Sequence, residues 1–101
     1  MGKRKYTLAQ STADLFTAMG VKAWVHEGGV KHQASPEIRV EIKENLEKVR
    51  EKAGVRGSAL YFGAVLLTAM DRGCFSEADI RYLDKLGSGN ANYILEKLRS
   101  Q

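Results

Sequence analysis

The chain has 101 residues, 44% of them hydrophobic, and a formal charge of +4 from 16 Lys/Arg against 12 Asp/Glu. That is one small domain with a globular balance of residues. A single Pro and a single Cys exclude a collagen-like repeat, a disulfide framework and a four-cysteine zinc site, and no apolar run approaches the ~20 residues that span a bilayer.

Met1-Gly2-Lys3-Arg4-Lys5 opens the chain with three consecutive basic residues. Residues 1–6 read as a basic mobile arm, and residues 7–101 as a single small domain. The start resembles the charged end of a secretory leader, but Tyr6 to Asp14 is too polar for its apolar region. Tyr6 also stands where a myristoylation signal needs Ser or Thr. With one Cys, Cys74, that suits a reducing compartment, the expected location is the cytoplasm.

A first helix is expected from Thr7 to Met19, because Leu8, Leu15, Phe16 and Met19 share one face of a 3.6-residue period. Gly20 follows where a left-handed cap is needed. Val21 to Val25 alternates as a strand. His26-Glu27-Gly28-Gly29 supplies a turn, and Val30 to Ala34 returns.

Ser35-Pro36-Glu37 is the clearest boundary: a capping hydroxyl, a first-turn proline and an acid at the positive end of the dipole. Ile38, Ile42, Leu46, Val49 and Ala53 then form a helical stripe that Gly54 ends. Ile38, Val40 and Ile42 also alternate as a strand, but the cap and the five-residue stripe favour helix. Ser58 is the expected cap of the next helix, Ala59 to about Arg72, which is apolar on nearly every side. Such a helix is either the central core element or a dimer seam, and Gly73 stops it. Ser76-Glu77-Ala78-Asp79 resembles a capping box. It leads a helix with Ile80, Leu83 and Leu86 inward. Gly87-Ser88-Gly89-Asn90 turns the chain, and Ile94, Leu95 and Leu98 mark a last short helix. The fold class is therefore mainly α: four or five short helices with a small hairpin or ribbon near residues 21–34.

The charge is unevenly spread. Residues 1–34 hold five Lys/Arg and two Asp/Glu, residues 35–57 six and five, and residues 58–101 five and five. The excess belongs to the arm and the hairpin, where it can neutralise phosphates. Lys31 and Gln33 share one strand face if Val30, His32 and Ala34 turn to the other. Both donate to base edges, and a two-stranded ribbon fits the major groove. Lys3, Arg4, Lys5, Lys22, Lys31, Gln33, Arg56 and Ser58 are the expected nucleic-acid-binding residues. The expected partners are DNA, with RNA as an alternative, and a second copy of the chain. No membrane partner is expected.

Catalytic signatures are missing. There is no phosphate-binding loop, no paired CxxC, no HExxH and no dinucleotide fingerprint. His26 and His32 with Glu27 would make a metal site only if both rings met across the hairpin, and no third ligand has diagnostic spacing. Cys74 with a histidine lacks an orienting third group. Asp71, Glu77, Asp79 and Asp84 read as caps and surface charge. The expectation is a non-enzymatic protein with no cofactor and no metal. The alternative is a helical protein–protein module using the Ala59–Met70 helix or Trp24.

Two family resemblances follow. Val30-Lys31-His32-Gln33-Ala34, then Ser35-Pro36-Glu37, then Glu44-Asn45-Leu46-Glu47-Lys48 through Gly54-Val55-Arg56-Gly57-Ser58-Ala59-Leu60 resembles the ribbon-helix-helix DNA-binding family over about 40 residues. That resemblance implies an intertwined dimer, a repressor or plasmid accessory factor. Lys31 and Gln33 would read the major groove, and Arg56 to Ser58 would clamp a phosphate. The order of elements around Ala34-Ser35-Pro36-Glu37 and Phe75-Ser76-Glu77-Ala78-Asp79-Ile80 is also similar to the histone fold, which implies a chromatin accessory role.

Overall fold

A computed structural model describes residues 7–74 and 90–99. Helix α1 spans Leu8–Ala18, and the Thr7 hydroxyl caps it by accepting from the Gln10 N–H. At its far end the Gly20 N–H donates to Thr17 O and the Val21 N–H to Phe16 O, a closed cap that also packs Val21 and Phe16 into the core.

Val21 is thereby used by the helix end. Strand β1 begins two residues later than its alternation suggests, at Ala23–His26. Strand β2 is Gly29–His32 and pairs antiparallel with β1, Trp24 opposite Lys31 and Val25 opposite Val30. Glu27 and Gly28 form the two-residue turn, both at positive φ (53° and 81°), as the right-handed twist of a hairpin requires. Beyond the strands, the Gln33 N–H still donates to Lys22 O. The ladder stops at Ala34, whose N–H goes to the His32 ring.

Helix α2, Pro36–Ala53, starts at the Ser35 cap, whose hydroxyl accepts from the Ile38 N–H, and ends at Gly54 with φ 67°. The buried face is Ile38, Ile42, Asn45, Val49 and Ala53. Asn45 thus takes the inward position expected of Leu46, which is half-buried. Helix α3 is Gly57–Asp71, with Arg56 at the cap position and no side-chain cap bond. Ser58 is therefore not the cap. Gly57, at φ 62°, turns the chain into the helix before Ser58 is reached, and Ser58 lies in the first turn. Helix α4 is Asn90–Arg99, burying Ile94 and Leu95. The expected capping box at Ser76, the helix with Ile80, Leu83 and Leu86, and the turn at Gly87-Ser88-Gly89 lie outside the described residues, as does the arm.

The chain bends by 117° between α2 and α3. Away from that corner, Arg72 at the far end of α3 reaches the first half of α2, with both carboxylate oxygens of Glu41 within 3.0 Å. Helix α3 lies against α1, α2 and α4 and buries Phe62 through Leu66 with Thr68 and Ala69. It is the central core element. Asn45 Nδ2 donates to Thr68 Oγ1 at 2.8 Å, and Thr68 donates onward to Ala64 O. The α2–α3 seam therefore contains one satisfied polar pair. The ribbon packs on α1. No single described helix is long and apolar enough to cross a membrane.

Candidate nucleic-acid interface

The pleat sorts the ribbon into two faces. Ala23, Val25, Val30 and His32 are half-buried, while Trp24, His26, Lys31 and Gln33 are exposed, as is Lys22 just before the strand. The outward face therefore carries Lys22, Trp24, Lys31 and Gln33 together, with Trp24 directly opposite Lys31. Trp24 is 42% exposed, which leaves much of the indole open to a flat partner. The alternation that puts Lys31 and Gln33 on one face also gives Trp24 the parity of Lys22. Trp24 belongs with the basic residues, although its sequence reading was as a protein-partner surface.

The inward face is fixed by His32. Its ring stacks on Phe16 with centroids 4.3 Å apart and planes 17° apart. Nδ1 accepts from the Ala34 N–H at 3.2 Å, so the proton of the neutral ring sits on Nε2, 3.1 Å from Tyr61 Oη. Burial, and then the charge of Arg39, hold the His32 pKa below its ordinary 6.5. Burial pushes the Tyr61 hydroxyl above 10.0, against a smaller lowering by Arg39. Both groups are neutral near pH 7. His26 points the other way and pairs with Glu27 at 3.6 Å. The two histidines thus face opposite sides of the ribbon and cannot share an ion, and no metal-competent cluster occurs among the described residues.

The remaining expected residues fall in three places. Ser58, at the exposed start of α3, lines an open groove of about 500 Å³ with Thr7, Leu8, the hairpin tip at Gly28 and Gly29, and Tyr61. Ser58 is thereby brought to the tip of the ribbon, whereas Lys22 and Gln33 sit at its base. Arg56 is exposed just ahead of α3. Its side chain makes no capping bond. Lys3, Arg4 and Lys5 lie outside the described residues. Comparison with known proteins finds no matching family model, no matching curated protein and no matching solved structure.

Proposed function

We propose that this protein binds nucleic acid, duplex DNA foremost, through the outward face of the β1–β2 ribbon, and that it does so without catalysis, as a small repressor or accessory factor does. The observation that carries the reading is the grouping of Lys22, Trp24, Lys31 and Gln33 on one solvent face. Two ammonium groups neutralise phosphates. Gln33 and Lys31 offer donors to base edges, and a two-stranded ribbon has the width of the major groove. Where the ribbon-helix-helix resemblance pairs strands from two copies, both strands here come from one chain. RNA is the alternative partner, because an open indole beside a cation also stacks on unpaired bases. The rival protein–protein reading loses its main surface, since α3 is covered within the chain, and keeps only Trp24.

Trp24 is the only tryptophan, so its fluorescence reports directly on the proposed face. Titrating a random duplex at low salt is expected to quench it. Lys22→Ala and Lys31→Ala are each expected to lower the slope of log K against log salt by about one unit. Replacing Lys3, Arg4 and Lys5 together should weaken all duplexes alike. Gln33→Ala should narrow the gap between a preferred and a random site, by ~1–3 kcal/mol if a bidentate base contact is lost. Lys97→Ala on α4 is the control and should do little. Absence of any duplex binding by the wild-type chain at low salt ends this reading.

A further inference from the structure

Behind the ribbon, on the side away from its basic face, α2 presents Arg39 and Lys43 four residues apart and so on one helix face. They border a cleft of about 210 Å³ whose other walls are His32, Ile42, Leu46 and Tyr61. Neither cation is in an ion pair among the described residues. The acid best placed to pair with Lys43 along the helix is Glu47, and Arg50 already holds that carboxylate at 2.6 Å. Glu41, another acid of the same helix, is held by Arg72.

Tyr61 adds a third donor. The His32 Nδ1 lone pair is taken by the Ala34 N–H, so the ring donates from Nε2 and Tyr61 Oη accepts. The phenolic proton of Tyr61 is then unspent. The polar groups that line this cleft and remain available are a guanidinium, an ammonium and a phenol O–H. Each has a proton to donate, two of the three are cations, and no carboxylate lines the walls. The apolar wall is Ile42 and Leu46, one buried and one half-buried.

We propose that this cleft binds a small organic carboxylate with an apolar body, the carboxylate against Arg39, Lys43 and the Tyr61 hydroxyl and the body against Ile42 and Leu46. The site goes beyond the nucleic-acid reading and does not depend on it. Charge-assisted bonds from a planar guanidinium suit a carboxylate, and the volume has room for a single ring.

The test is a titration of the full-length, isotope-labelled chain with benzoate, followed by amide shifts. Saturable shifts are expected at Arg39, Lys43 and Tyr61, with a dissociation constant on the order of 1 mM. Acetate lacks the body and benzyl alcohol lacks the charge, so each should bind at least about tenfold more weakly. Arg39→Gln and Lys43→Gln lie at exposed positions and leave the core intact; each is expected to weaken benzoate by about tenfold. Tyr61→Phe should do the same while keeping the ring. If it also destabilises the fold by orphaning His32 Nε2, the two exposed variants carry the test alone. No saturable shift, equal affinity in the glutamine variants, or inorganic phosphate binding as tightly as benzoate would each overturn the proposal; the last would reduce the cleft to an unselective cationic patch.

Discussion

A Cβ on Gly63 would stand 2.9 Å from Val49 Cγ1 and 3.0 Å from Ile94 Cδ1, so α2 and α4 close on α3 through the space that a side chain would take. Gly54 has open space around it but a φ of 67°. Gly63→Ala should therefore cost ~1–3 kcal/mol through overpacking, and Gly54→Val at least ~1–2 kcal/mol through backbone strain. Urea melts of both variants check this, and an unchanged midpoint for Gly54→Val would mean the helix continues through that position. His32 makes a different prediction. Its folded pKa lies below 6.5, so just under that pH the unfolded chain takes up a proton that the folded ring refuses. Stability should fall as pH drops through 6.5 and level off below the folded pKa. The proton would also have to displace the Ala34 N–H from Nδ1. Thermal melts between about pH 7.5 and about pH 5.5 should show this slope, and His32→Gln should flatten it.

At the scale of elements, the buried Asn45–Thr68 pair ties α2 to α3 in one register. Thr68→Val keeps the shape and leaves Asn45 Nδ2 without its partner, at a cost of ~1–3 kcal/mol. The double variant Asn45→Leu with Thr68→Val should recover part of that loss in a denaturation cycle. The pair also marks where sequence reading reached its limit. Helix α2 was legible because Ser35, Pro36 and Gly54 act on their own backbone neighbours. The inward place of Asn45 was not, because a polar residue in a charged helix reads as surface until its partner, 23 residues away, is known. The start of α3 was misread for a related reason: Ser58 has the chemistry of a cap, but Gly57 had already turned the chain. On the ribbon, alternation correctly separated Lys31 and Gln33 from Val30, His32 and Ala34. It could not show that Val21 was bound to the end of α1.

For the molecule as a whole, the apolar α3 gave the sequence-level reason to expect a second copy. That cover now comes from α1, α2 and α4. What still supports a homodimer is the ribbon, where among the described residues β1 and β2 pair only with each other and each leaves one edge without a described partner strand. Light scattering at micromolar concentration is expected to give twice the chain mass. Replacing Val30, whose N–H faces away from β1, with Pro should return it to the monomer if pairing runs through β2, and a monomeric wild type would leave the ribbon to act alone.

The ribbon is held to the body by one face, resting on α1 with His32 reaching α3 through Tyr61. Its strands are four residues each, whereas α3 is enclosed on three sides. Lifting the ribbon exposes Val25 and Val30 and breaks the Tyr61 link, yet leaves the α2–α3 corner and its Asn45–Thr68 tie untouched. The ribbon is thus expected to open locally at a free energy below that of global unfolding. A partner that binds only the seated ribbon draws that opening equilibrium shut by mass action, so its first effect on the protein is slower backbone amide exchange from Ala23 to His32, while the amides of α3 keep the rate set by the whole fold.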